Sequence, residues 1–145
     1  MKQIRDVMTA NPRTVGPEDS LRMAAQFMDE LNVGVLPVCE GEKVIGMVTD
    51  RDIAVRGVAQ GLSPDEGQVR EVMSASVRTC YDDEQVDDVL DEMADVQIRR
   101  VPVLDREQRL VGIVSLGDLA EDRGQQGRVA EALRDISTPS QPDRH

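Results

Sequence analysis

The sequence predicts an α/β (α+β) fold made of two copies of one β-α-β-β-α unit, packed sheet against sheet about a pseudo-two-fold axis. Three observations predict it. Ile4-Arg-Asp-Val-Met8 recurs as Val69-Arg-Glu-Val-Met73, an offset of 65 that also places Arg13-Thr14 on Arg78-Thr79 and Pro37-Val38 on Pro102-Val103. Leu21, Ala24, Ala25, Met28 and Leu31 step like one face of a helix, and Val86, Val89, Leu90, Met93 and Val96 fill the same slots of the second copy. After one extra residue near Arg106-Glu107 the offset becomes 66, matching Gly46 with Gly112 and Asp52 with Asp118.

Each element has a local reason. Ile4 to Met8 reads as a short helical turn and residues 13–15 as an extended segment. Asp19 or Ser20 can cap a helix that runs to about Leu31, which Gly34 then breaks. Residues 35–39 are apolar and β-branched, Glu40-Gly41-Glu42 reads as a turn, and residues 43–48 form the return strand of a hairpin. Thr49 or Asp50 caps a last helix to about Gln60. The second copy repeats the order: extended 78–80, helix 83–96, strand 100–104, turn 105–108, strand 109–114 and a helix from Ser115. The repeats thus span residues 1–60 and 69–122, with a turn-rich linker at 61–68. Residues 123–145 follow as a C-terminal helix, with Val129, Leu133 and Ile136 on one side, and a flexible tail. Alone, one copy buries little surface, so both are expected to share a core.

Composition narrows the function. The net charge of −11 is divided as −4 over residues 1–68 and −7 over 69–145, and there are one Phe, one Tyr and no Trp. A nucleic-acid binder needs a basic stripe or aromatic stacking platforms, and neither is present. No apolar run of about 18 residues is available to span a membrane. The start of the chain lacks the apolar core of a secretion signal, and two cysteines are too few for a disulfide scaffold or a zinc site. A cytoplasmic setting with reduced thiols is therefore expected. The only histidine is His145, and no phosphate-loop lysine motif, metal cluster or nucleophile elbow occurs, so no catalytic or metal-binding residue is assigned and no enzyme is expected.

The chemistry-bearing pattern is Gly-x-x-Thr/Ser-x-x-Asp, written Gly46, Thr49, Asp52 and again Gly112, Ser115, Asp118. It falls where a strand ends and a helix begins, so free N–H groups and the helix dipole favour an anion. The hydroxyl can cap the helix or donate to a phosphate. The carboxylate can accept from both vicinal hydroxyls of a ribose. A structural reading stands beside this one: Thr49 and Ser115 as plain caps, Asp52 and Asp118 as carboxylates favoured in a first turn, Arg51 as a solvated side chain, and Cys80 as a small apolar wall.

Leu36-Pro37-Val38 and Val101-Pro102-Val103, each followed by its Gly-x-x-Thr/Ser-x-x-Asp segment, resemble the CBS domain, named after cystathionine β-synthase. Two in tandem resemble a Bateman module, here over residues 1–122 as in stand-alone bacterial CBS pairs. The resemblance implies a non-catalytic sensor that binds an adenine nucleotide (AMP, ADP or ATP, with NAD or an S-adenosyl compound also open) in the cleft between the copies. Binding would signal by conformational change to a regulated partner protein, and no cofactor is required. Carried over residue by residue, Asp52 and Asp118 face ribose and Thr49 and Ser115 face phosphate. Backbone around Thr14-Val15 and Thr79-Cys80 meets the base, and Val35, Pro37, Arg100, Val101 and Pro102 line the pocket walls. Arg51 can reach phosphate, whereas its counterpart is Gly117. The family also implies a homodimer. The alternative is a structural dimerisation or protein-interaction module whose ligand sites are vestigial.

Overall fold

The computed structural model describes residues 2–96 and 100–115, with residues 94–96 described in backbone only. The predicted helix from Ser115, Asp118, and the C-terminal helix and tail lie outside the described residues. The elements are α1 (Ile4–Val7), β1 (Thr9–Ala10), α2 (Leu21–Leu31), β2 (Val35–Glu40), β3 (Lys43–Thr49), β4 (Cys80–Tyr81), α3 (Val86–Val96), β5 (Arg100–Leu104) and β6 (Leu110–Ser115).

Two compact units form, and they do not follow the repeat boundaries at 1–60 and 69–122. One is Pro12–Val77; in the other, the segment ending at Asn11 joins the chain from Arg78 onward. Each repeat's first residues therefore serve the other repeat. In the Pro12–Val77 unit, Val69 N–H donates to Asp19 C=O and Arg70 N–H to Pro17 C=O, both at 2.9 Å. In the split unit, Ile4 N–H donates to Glu84 C=O and Arg5 N–H to Asp82 C=O, again both at 2.9 Å. Val69 and Ile4 are fully buried at these junctions.

In the Pro12–Val77 unit, Ser20 caps α2 by accepting from Met23 N–H at 3.0 Å. The linker caps it as well: Leu21 N–H donates to Gly67 C=O at 3.1 Å and Arg22 N–H to Pro64 C=O at 2.9 Å, satisfying donors that a first helical turn leaves orphaned. The helix stops at Asn32, which takes the left-handed conformation at φ 56°, rather than at Gly34. Leu21, Ala24 and Met28 enter the core, whereas Ala25 is exposed and Leu31 is 42% exposed. The apolar face is thus narrower than its spacing predicts. Strands β2 and β3 pair antiparallel around Gly41-Glu42, with Gly41 at φ 64°. Single residues extend the hairpin on both edges: Val15 bridges Val38 in parallel and Ser74 bridges Met47 antiparallel. The last helix differs from expectation, being a π-helical turn over Asp52–Gly57 followed by a 3-10 turn over Val58–Gln60.

In the split unit, four strands order as β1-β6-β5-β4, antiparallel except for the parallel β4–β5 pair. Its core is Ile4, Cys80, Val86, Val89, Leu90, Met93, Val101, Val103 and Val114. Both units use a strand glycine for a close approach to a neighbouring segment. A Cβ on Gly46 would lie 2.7 Å from Ser74 C=O and 2.9 Å from Met73 Sδ, and one on Gly112 would run into Met8 Sδ and lie 2.9 Å from Thr9 C=O. Among the described residues, no helix is long and apolar enough to cross a membrane.

Candidate functional site

The end of β3 carries the pattern singled out in the sequence. Thr49 N–H donates to Asp52 Oδ2 at 3.0 Å, and Asp52 N–H donates to Thr49 Oγ1 at 3.0 Å. This is a reciprocal capping box, so the structural reading of the pair is realised. It still leaves chemistry to spare. Oγ1 acts as acceptor, which leaves the Thr49 hydroxyl proton to be donated. The other Asp52 oxygen, Oδ1, lies 3.8 Å from Arg56, and the Asp52 side chain is 17% exposed. The exposed Arg51 side chain has no hydrogen bond or ion pair among the described residues, although its backbone N–H donates to Asp50 Oδ1 at 2.8 Å.

Strand alternation sorts the expected wall residues. The register pairs Val35 with Thr49 and Pro37 with Met47 on one face, while Leu36, Val38 and Val48 turn into the core. Val35, Pro37 and Thr49 thus share one face of the hairpin. Met47 joins them, although the motif reading passed over it; counting back two residues from Thr49 finds it. Thr14 is half-buried, and its backbone makes no hydrogen bond among the described residues. Val15 is a correction. It is 2% exposed, its N–H donates to Pro37 C=O at 3.1 Å, and its C=O accepts from Cys39 N–H at 2.9 Å. Its backbone is spent on the sheet and its side chain on the core, so neither meets a base.

The second copy follows the same geometry. Arg100 pairs with Ser115 and Pro102 with Ile113 on one face, so Ile113 takes the place of Met47. Arg100 is half-buried beside Ser115 and makes no ion pair among the described residues. Val101 corrects the expectation that it lines the wall: it pairs with Val114 on the opposite face and belongs to the core. Cys80 likewise lies in the core at 3% exposure, paired with Val103. Burial, reinforced by the nearby Glu84, Glu92 and Asp82 charges, pushes its thiol up to about 12. Burial also raises the Cys39 thiol. Thr79 is exposed and makes no hydrogen bond among the described residues. Of the doubled Thr/Ser-x-x-Asp pattern, Thr49, Asp52 and Ser115 are described, whereas Asp118 lies outside the described residues.

Comparison with known proteins places this geometry. The CBS domain model matches residues 4–57 and again residues 69–123. The CBS domain-containing protein YhcV of Bacillus subtilis is 42% identical over 139 residues, covering 94% of this chain and 96% of that one. Hypoxic response protein 1 of Mycobacterium tuberculosis is 40% identical over 121 residues, covering 83% and 84%. The crystal structure of Hypoxic Response Protein I, with two coordinated zinc ions, superimposes with a TM-score of 0.76 at 37% identity, covering 83% of this chain and 98% of that one. Among the described residues of this chain, no group of three or more His, Cys, Asp or Glu is arranged to hold a metal. The CBS domain pair of protein MJ0100, in complex with 5′-methylthioadenosine and S-adenosyl-L-methionine, superimposes with a TM-score of 0.74 at 31% identity, covering 87% and 98%. The two matched segments, the α/β units they build and these relatives show that the chain belongs to the CBS domain family, as a tandem pair.

Proposed function

We propose that this chain is a non-catalytic regulatory module that binds an adenosine-containing ligand at the strand end of each copy. The observation that carries the reading is the β3 end. Among the described residues, a capped turn retains an unspent hydroxyl proton on Thr49 and an unpaired guanidinium on Arg51, beside an apolar face of Val35, Pro37 and Met47. The adenine ring would lie on that face, the ribose hydroxyls would donate to the remaining lone pairs of Asp52, and a phosphate would take Arg51 and the Thr49 hydroxyl. In the second copy, Ser115 and Asp118 take the equivalent roles, Pro102 and Ile113 supply the apolar face, and Arg100 supplies the cation. Thr14 and Thr79 would offer backbone groups to the base. The adenosyl compounds held by the MJ0100 pair support the ligand class. Self-association is part of the proposal, supported by four exposed apolar side chains, Met23, Leu31, Val55 and Val58. So are a cytoplasmic setting, in keeping with two free cysteines, and a regulated partner protein.

Thermal-shift and calorimetric titration with S-adenosyl-L-methionine, 5′-methylthioadenosine, AMP, ADP and ATP test it. A ligand at about 100 times its dissociation constant should add about 2.7 kcal/mol of stability. Arg51→Ala should weaken AMP while sparing 5′-methylthioadenosine. No heat and no stabilisation by any of them at millimolar concentration would defeat the reading. The reciprocal bonds of Thr49 and Asp52 favour a second reading, a protein-interaction module whose carboxylates only cap. Unchanged cellular function in Asp52→Ala with Asp118→Ala would select it.

A further inference from the structure

We propose that the Met47 thioether is a modification site: a small hydroperoxide such as hydrogen peroxide oxidises it to the sulfoxide, which weakens the first candidate site and leaves the second untouched. This rests on the adenosine-binding reading above and adds a regulator of one of its two sites.

The two copies frame one residue in the same way. Met47 follows Gly46, stands two residues before Thr49 on the same strand face, and pairs with Pro37 on one side and Ser74 on the other. Ile113 follows Gly112, stands two residues before Ser115, and pairs with Pro102 and Thr9. Both are half-buried. The Met47 backbone exchanges two hydrogen bonds with Ser74, at 2.9 and 3.0 Å, so its side chain is held on the face where the adenine ring would lie. The frame is shared and the chemistry is not. One copy presents a thioether sulfur, which peroxide oxidises, and the other a saturated carbon, which it leaves alone.

The remaining methionines do not separate the copies in this way. Met28 and Met93 are buried in equivalent core slots. Met8 and Met73 each pack against a core, over a strand glycine, one in each unit. Met23 is exposed on α2. Among the described residues, Met47 is thus the one methionine on a candidate site face.

In the oxidation the sulfur lone pair attacks one peroxide oxygen. An S–O bond forms as the O–O bond breaks, and sulfur gives up two electrons. The proton on the transferred oxygen passes to the departing hydroxide, which leaves as water. A polar acceptor then stands where an apolar contact stood. An adenine ring packed there would bury that acceptor without a partner, a cost that weakens binding about 5-fold or more. A thiol-dependent sulfoxide reductase restores the thioether, so the loss is reversible.

Isothermal titration calorimetry with AMP, and separately with 5′-methylthioadenosine, before peroxide treatment and after the peroxide is removed, tests this. Peptide mass spectrometry scores each sulfoxide. Asp118→Ala isolates the first site and Asp52→Ala the second. Oxidation should weaken binding at least about 5-fold in Asp118→Ala and leave it unchanged in Asp52→Ala. Adding Met47→Ile to Asp118→Ala should abolish the response to peroxide, whatever the starting affinity. Adding Ile113→Met to Asp52→Ala should create a response. Should peroxide unfold the chain, Met47→Gln supplies a comparable polarity without oxidation and should weaken the first site by a similar factor. The inference fails, and the ligand reading stands, if affinity is unaltered once Met47 is oxidised or replaced by Gln, if the response survives Met47→Ile, or if Met47 stays reduced while Met23 is consumed. Absence of heat from the untreated chain with both ligands instead overturns the ligand reading, and this inference with it.

Discussion

The Pro12–Val77 unit and the split unit share their sheet-completing bonds and differ in their loops. In both, the exchanged segment donates two backbone N–H groups to the turn before a helix, and a methionine from that segment lies over a strand glycine. The hairpin ends diverge. One turns in two residues through Gly41. The other carries the extra residue, and Asp105 absorbs it: its Oδ1 accepts from Glu107 and Arg109 N–H, both at 2.9 Å, while Gln108 takes φ 69°. That longer loop also reaches a neighbouring turn. Arg106 sits 4.0 Å over the Tyr81 ring and pairs with Asp83, and Gln108 donates to the Tyr81 hydroxyl at 2.7 Å. In the other unit Gly16 stands in the Tyr81 slot and no such clasp exists among the described residues. Duplication has kept the bonds a buried backbone requires and left solvent-facing positions to vary.

The largest expected effect breaks the match between the two helices. Leu90 is 1% exposed, yet its slot in α2 holds the exposed Ala25. Leu90→Ala should lose about 2–5 kcal/mol in urea denaturation, and Ala25→Leu should stay within about 0.5 kcal/mol of the parent. Next come the two glycines. Gly46→Ala drives a Cβ against the rigid Ser74 carbonyl and should cost about 1–3 kcal/mol. Gly112→Ala meets the Thr9 carbonyl at 2.9 Å as well as the Met8 side chain and should cost a comparable amount by the same assay. Reactivity of the two thiols should separate the units as well. With a thiol reagent near pH 8, Cys39, at 8% exposure, should label before Cys80, which is 3% exposed and whose thiol is held up to about 12.

The smallest effect is electrostatic. Arg106 holds Asp83 below the usual carboxylate range, and the Arg109 backbone N–H does the same for Asp105; both lie in the split unit. Asp65, lowered by Arg22, is the one such carboxylate described in the other unit. A depressed carboxylate stabilises above its unfolded value, near about pH 4, and that contribution is lost as pH falls through the folded value. Hydrogen exchange should therefore differ between about pH 6 and about pH 3, with residues 105–109 and residues 63–67 both looser at the lower value. These groups are exposed, so high salt should erase the difference.

Much of this was legible in the sequence, because the repeat, the Ser20 cap and the alternation of Leu36 and Val38 are local patterns. Three residues expected at the ligand as members of a motif, Val15, Cys80 and Val101, lie in the cores. Period-2 alternation sends Val101 there and leaves Ile113 on the opposite face. Pairing with β2 and β5 claims Val15 and Cys80, and no local signal announces a pairing between distant segments. The exchange of Ile4 and Val69 between copies was hidden for the same reason: two copies of one sequence offer equivalent docking surfaces, and the choice is made by chain geometry. Asn32 took the left-handed cap two residues before the glycine expected to do so, as asparagine tolerates that conformation.

The exchange has a consequence for how the molecule is made. Every bond described for the Pro12–Val77 unit lies within one continuous stretch, so that unit can close while later codons are still being read. The split unit pairs Ile4 with Glu84 and Thr9 with Ile113, so its opening residues must wait, unpaired, until most of the polypeptide has left the ribosome. Assembly by vectorial synthesis should run in that order, with the first residues translated among the last to dock.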